Sequence, residues 1–406
     1  MLKQVISFLS STFLAKLTPV VLGYVLATEL GNSAYIGFVS FVLFSGLISN
    51  ISILGANPQI ISLEGKQEVR NSEYFRITVC GLLFLTFCTM SVFVVSIFNF
   101  LPIYLIDLMG YKAVMVAFLY SLGIYFIYIS TAKLNNALLV REASTIWFGY
   151  SAMTVVVAAL WFLLDKNNLF LLVSLMAVSA LIVGALGHWY AGSSSSMVGA
   201  MVVKEQTGYK KILRRQLSFS FFGFGVVGVF FYYQNALSLQ SAEDGALFSL
   251  FYQLFALILF VPSTLGNIVV PRLVKKVKSG FPLKVYLYYF LIAFLLCVAI
   301  FGALPYLLVE YNIDMHLYSG NLFLTLLAVS LIAGVNSYST QVLVAKKNYD
   351  FLMLSTALWA SVALGLTAWQ GISVQSVSVS LLAAYLVSSF GVVFGIYRLG
   401  YFKYFD

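Results

Sequence analysis

Apolar residues run through this chain in stretches of roughly 20, the length a helix needs to cross the hydrocarbon of a bilayer. The stretches fall near 5–27, 36–57, 77–99, 112–134, 145–164, 169–190, 217–238, 245–270, 285–305, 319–342, 351–371 and 377–397. Each predicts a helix, because a sheet edge or irregular segment facing lipid has no hydrogen-bond partner. The expected fold is an all-α polytopic membrane protein of about twelve transmembrane helices. Breaks on one side are short, as at Thr28 to Tyr35, Asp165 to Asn168 and Leu239 to Asp244, and the longest there is Pro305 to Tyr318. No extramembrane domain is expected.

The widest break on the other side, Ala191 to Gln216, opens with Ser193-Ser194-Ser195-Ser196 and closes with Lys210-Lys211-Ile212-Leu213-Arg214-Arg215. A Ser-rich start followed by a basic, mildly amphipathic stretch reads as a linker on the inner membrane surface. It divides the chain into lobes of six spans, 1–190 and 217–406, with 191–216 as cytoplasmic linker. An even number of spans gives both lobes one orientation, related by a pseudo-two-fold along the membrane normal. Ser52-Ile53-Leu54-Gly55 in span 2 matches Ser263-Thr264-Leu265-Gly266 in span 8. Small and polar residues share one face of each span: Ser45, Ser49, Ser52, Ala56 and Gln59 in the first, Ser249, Gln253, Ala256, Ser263 and Asn267 in the second. Such a stripe serves either close helix packing or a polar cavity wall.

Composition adds that the chain is 61% hydrophobic and 9% charged, with mean hydropathy +0.97, which excludes a soluble domain. The net charge of +9 is juxtamembrane punctuation rather than a nucleic-acid surface. With the N-terminus inside, Lys112 and Lys166 alone fall outside, Lys16 alone falls within a span, and all other basic residues lie on the inner side. That asymmetry across short loops predicts an inner-membrane-type protein with both termini cytoplasmic. The anionic inner leaflet is the expected partner of the basic residues. Cys80, Cys88 and Cys297 fall in spans without metal spacing, and no cleavable signal peptide is expected.

Candidate chemistry is sparse. His188 and His316 lie near span ends, far apart in sequence and without ligand spacing, and no phosphate-cradling Gly-rich loop is present. No enzyme, catalytic residue, metal or cofactor is expected. The anomaly is Lys16, about eleven residues, hence roughly 16 Å, from either end of span 1. A lysine reaches about 6 Å and cannot snorkel fully from there, and a lipid-facing charge at that depth costs about 2.5–3.5 kcal/mol. Lys16 therefore either donates to backbone carbonyls near the Pro19 break or faces an aqueous cavity, where it favours an anionic cargo. The neutral groups at membrane depth are Asn50, Tyr125, Tyr128, Gln234, Asn235, Gln253, Asn336 and Gln341. Tyr125 and Tyr128 share a face of span 4 with Ser121 and Asn135. Hydroxyls, amides and aromatic rings suit a sugar.

Two segments carry a family resemblance. Leu30-Gly31-Asn32-Ser33-Ala34-Tyr35-Ile36-Gly37-Phe38, with Leu54-Gly55 later in span 2, resembles the element opening that span in lipid-linked polysaccharide (O-antigen, Wzx-type) flippases. Asp244-Gly245-Ala246-Leu247-Phe248-Ser249-Leu250-Phe251-Tyr252-Gln253-Leu254, closing with Pro271-Arg272-Leu273, is similar to their span 8 element. At the end of span 7, where relatives often carry a charged pair, this chain reads Tyr232-Tyr233-Gln234-Asn235. The resemblance implies a two-lobed bundle of the MATE-like (MOP) exporter superfamily. It implies a flippase that moves undecaprenyl-diphosphate-linked oligosaccharide from the inner to the outer leaflet of a bacterial inner membrane by alternating access, in O-antigen or similar polysaccharide biosynthesis. Lys16, the neutral groups above and Arg272 would bind the cargo. Coupling to an H+ or Na+ gradient and association with other polysaccharide-assembly membrane proteins belong to the same expectation. The alternative is a twelve-span exporter of drugs or small metabolites.

Overall fold

The computed structural model describes residues 2–61, 63, 67–97, 104–195, 209–275, 283–311, 313, 320–345 and 348–398. Lys66, Lys204, Lys276, Lys278, Lys346, Lys347, Lys403, Asp314 and His316 lie outside the described residues. Each apolar stretch is realised as a helix: α1 (Leu2–Leu30), α2 (Asn32–Ile61), α3 (Gln67–Ile97), α5 (Lys112–Asn136), α6 (Val140–Asp165), α7 (Leu169–Ser195), α8 (Tyr209–Gln240), α9 (Ala242–Lys275), α10 (Leu283–Gly302), α12 (Gly320–Ala345), α13 (Tyr349–Gln370) and α14 (Val374–Arg398). Two short helices, α4 (Tyr104–Met109) and α11 (Leu304–Glu310), occupy segments expected to be loop. Helix α11 follows α10 after a 43° bend. Among the described residues, ten helices are long and apolar enough to cross a membrane, or eleven counting the bent pair.

The chain forms two compact units. Unit 1 comprises Met1–Thr18 and Phe41–Val227, and unit 2 comprises Pro19–Ser40 and Gly228–Asp406. The division passes through α1, α2 and α8, so the second half of α1 and the start of α2 belong with the C-terminal helices. Side chains explain that membership. Gln253 donates to the Pro19 carbonyl at 3.4 Å, the Tyr311 hydroxyl donates to the Val20 carbonyl at 3.0 Å, and Tyr24 donates to the Glu310 carboxylate at 2.9 Å. Tyr35, fully buried, donates to Gln253 Oε1 at 3.3 Å and sets its ring against Tyr311.

In unit 1 the closest helix pair is α5 on α7, where backbone meets backbone. A methyl carbon on Gly184 would lie 2.6 Å from the Gly123 carbonyl oxygen, so only glycine permits this approach. The serine stripe of α2 is buried, and Ser121 of α5 donates to the Ser45 carbonyl at 2.9 Å. On α2, then, the stripe serves close packing. The matched serines differ: Ser52 is buried, whereas Ser263 is exposed and bonds the Phe260 carbonyl of its own helix.

Asn136 donates to the Ile61 and Leu63 carbonyls at 3.0 and 2.9 Å, satisfying the end of α2 that has no intrahelical partner. The α5–α6 turn places Leu138 at φ 65°, a left-handed conformation usually taken by glycine. Large apolar side chains such as Leu163 (80% exposed) and Phe390 (76% exposed) remain uncovered. In water they would be a liability; in a bilayer they face lipid.

Candidate functional site

Lys16 lies on α1 within unit 1, three residues before Pro19, and its side chain is exposed. Helix α6 is tied to α1 one turn away, where the Ser151 hydroxyl donates to the Ser11 carbonyl at 3.3 Å. This tie sets Lys16 beside an aromatic cluster from α5 and α6. Its charge acts on the Tyr120 hydroxyl, which shares a 2.8 Å hydrogen bond with the Tyr150 hydroxyl. Trp147 stands edge-on to Tyr128 with centroids 5.1 Å apart and to Tyr150 at 6.3 Å, while Phe41 of α2 contacts Tyr120 at 5.5 Å. The Trp147 indole N–H is buried and has no hydrogen-bond partner among the described residues. The cluster combines an ammonium, two phenol groups and an unsatisfied donor, a set that suits phosphate and sugar oxygens.

The Pro19 and Val20 carbonyls receive hydrogen bonds from Gln253 and Tyr311. Of the other expected site residues, Tyr128 joins Lys16's neighbourhood. Tyr125 does not: it is fully buried, donates to the Thr78 carbonyl at 2.9 Å and lies over Gly81 of α3. Asn50 is half-buried on α2, near Gly46 of its own helix.

The remaining candidates are dispersed through unit 2. Gln234 is buried and donates to the Ser238 hydroxyl at 2.9 Å and the Gly245 carbonyl at 3.2 Å, joining α8 to α9, while Asn235 beside it is half-buried. Gln253 bridges Tyr35 and Pro19 as described. Gln341 repeats that arrangement: it accepts from the Tyr289 hydroxyl at 2.7 Å and donates to the Pro262 carbonyl at 2.7 Å. Asn336 donates to the Ser389 hydroxyl at 2.6 Å, linking α12 to α14. The Arg272 backbone belongs to α9, and its side chain lies outside the described residues. Tyr120, Trp147 and Tyr150 were not singled out from the sequence. The spacing of Trp147 and Tyr150 puts them on one helix face, but nothing in the linear chain says that this face meets α1.

Solved structures share this architecture. A multidrug resistance MATE family transporter of the MOP superfamily, in an outward-facing conformation, matches 100% of this chain with 97% of its own, at 14% identity and TM-score 0.67. A MATE transporter variant from Vibrio cholerae matches 98% of this chain with 96% of its own, at 10% identity and TM-score 0.68. The fold is that of the MATE transporters. A further structure with this MATE fold is a MOP superfamily transporter from Pyrococcus furiosus, described as having a binding pocket of reverse polarity that suggests a different function; it covers 99% of this chain at 14% identity and TM-score 0.61. No protein-family model and no curated relative matches the sequence.

Proposed function

We propose that this protein is a membrane exporter of the MATE-like superfamily whose cargo is a polyprenyl-diphosphate-linked oligosaccharide, flipped from the inner to the outer leaflet of a bacterial inner membrane. The observation that carries the reading is Lys16, a cation far inside α1 beside the Tyr120–Tyr150 hydroxyl pair. A charge held at that depth is expensive unless it faces a polar cavity or an anion, so it marks a functional position. The diphosphate would sit on Lys16, and the sugars would meet Tyr120, Tyr128, Trp147 and Tyr150, while the polyprenyl tail stays in lipid. The MATE fold supports alternating access as the means of transport. The segments resembling lipid-linked polysaccharide flippases open α2 and α9, which agrees with this cargo. An H+ or Na+ gradient would supply the driving force, and other polysaccharide-assembly membrane proteins would supply and take up the cargo.

A second reading, export of drugs or small metabolites, is supported by the neighbour described as a multidrug resistance transporter. The two separate on one experiment. Lys16→Ala should abolish surface glycan while leaving membrane insertion intact, since removing the charge eases insertion. Lys16→Arg should keep partial output, because it preserves charge with altered donor geometry. Surface glycan is measured against protein level in the membrane. Normal glycan output from Lys16→Ala would overturn the diphosphate reading.

A further inference from the structure

A cluster around a second cation, Lys133, lies in unit 1. Three helices contribute: Tyr74 from α3, Lys133 from α5 and His188 from α7. The Tyr74 hydroxyl and His188 Nδ1 are 3.0 Å apart, and the two rings stack with centroids 5.9 Å apart. Lys133 Nζ stands 4.6 Å above the centre of the Tyr74 ring. Phe126 closes one side of His188 at 5.4 Å. Tyr74 is buried, and Lys133 and His188 are half-buried.

We infer that Tyr74, Lys133 and His188 form a binding site for the phosphate of a lipid headgroup. Charge is the first reason. The ammonium rests on a ring face, and the imidazole beside it carries a ring N–H, so a cation and a hydrogen-bond donor for an anion are held together. Among the described residues no carboxylate pairs with Lys133. A phosphate would supply the missing counter-charge. When the Tyr74 hydroxyl donates to Nδ1, the imidazole proton sits on Nε2 and becomes a second donor for the same anion.

Depth is the second reason. Lys133 precedes the end of α5 by three residues, His188 precedes the end of α7 by seven, and Tyr74 follows the start of α3 by seven. At 1.5 Å per residue these are about 5–10 Å inside the helix ends, the level of lipid headgroups and glycerol. The rim is the third reason. Phe75 is 64% exposed and Trp189 73% exposed, each adjacent in sequence to a member of the cluster. Exposed aromatic rings at that level are interfacial anchors, and they give acyl chains an apolar edge that a soluble anion would not need. The site does not depend on the cargo assigned to Lys16.

Native mass spectrometry of the detergent-purified full chain tests it, with dioleoyl phosphatidylglycerol, dioleoylglycerol and a short-chain isoprenyl diphosphate as separate probes. The expected result is one tightly retained phosphate-bearing lipid and no retained dioleoylglycerol. Lys133→Gln should weaken retention about tenfold, Lys133→Arg should hold it, and Lys112→Gln, at the other end of α5, should leave it unchanged. Tighter retention of the isoprenyl diphosphate would assign the site to a cargo lipid, and tighter retention of phosphatidylglycerol to a membrane lipid. Either supports a headgroup-phosphate site. On the unaltered protein, phosphatidylglycerol with a photoreactive headgroup should crosslink to peptides containing Tyr74, Lys133 or His188, which holds the test open should Lys133→Gln not fold. Equal retention by folded Lys133→Gln, full displacement by equimolar inorganic phosphate, or crosslinks confined to other helices would each overturn the inference.

Discussion

The backbone contact between α5 and α7 makes the sharpest stability prediction. In Gly184→Ala the new methyl carbon would sit 2.6 Å from the Gly123 carbonyl oxygen and 3.1 Å from the Phe126 Cβ, whereas ordinary contact begins at 3.4 Å. The principal obstacle is backbone of another helix, so no side-chain rotation relieves it, and α5 and α7 must part by most of an ångström. A gap of that size forfeits roughly a quarter to a half of each dispersion contact across the seam, and overpacking of this kind costs about 1–3 kcal/mol. Membrane helices associate largely through such packing, which makes the loss hard to recover elsewhere. Replacing glycine by alanine within a helix returns at most about 1 kcal/mol. The net expectation is a loss of about 1–2 kcal/mol. Gly149→Ala in α6 is the matched control, because a methyl there meets nothing within 4 Å. It should be neutral or stabilising. Thermal denaturation of the detergent-purified variants, followed by loss of the monodisperse chromatographic peak, compares the two. A Gly184→Ala melting point at or above that of the unaltered chain would refute the reasoning, as would equal losses for both substitutions.

Gln253→Leu strands the buried Tyr35 hydroxyl and the side-chain bond to Pro19, and should cost about 1–3 kcal/mol. Adding Tyr35→Phe removes the stranded group, so the double variant should melt above the sum of the single losses; strict additivity in the thermal cycle would argue against the coupling. Leu138→Gly relieves the left-handed residue of the α5–α6 turn, and chemical denaturation should report a gain of about 1 kcal/mol, with a loss counting against strain there. Reporters fused after Asn168, Asp244 and Asp314 should read outside, and those after Lys66, Lys211 and Lys278 inside; a cytoplasmic signal after Asp244 would break the topology inferred from charge.

The apolar runs were enough to locate the long helices, because a bilayer leaves the backbone few alternatives and the required length is set by its thickness. Lys16 was legible for a similar reason: a charge at mid-span is costly anywhere in lipid, whatever surrounds it. Short elements were not legible. Helices α4 and α11 are too brief for periodicity to distinguish them from loop, and they exist where neighbouring helices support them. Nor could the sequence separate amides that line a cavity from amides that hold helices together. Gln253 and Gln341 read alike as polar groups at depth, and both proved to hold a proline carbonyl and a tyrosine hydroxyl. The assignment of α1 past Pro19 to the C-terminal unit, and the bringing of Tyr120 within reach of the Lys16 charge, depend on contacts between residues about a hundred or more positions apart. Hydrophobicity and length act locally and can be read along the chain, whereas which face of one helix meets which face of another is decided only when side-chain shapes and hydrogen bonds are satisfied together in three dimensions.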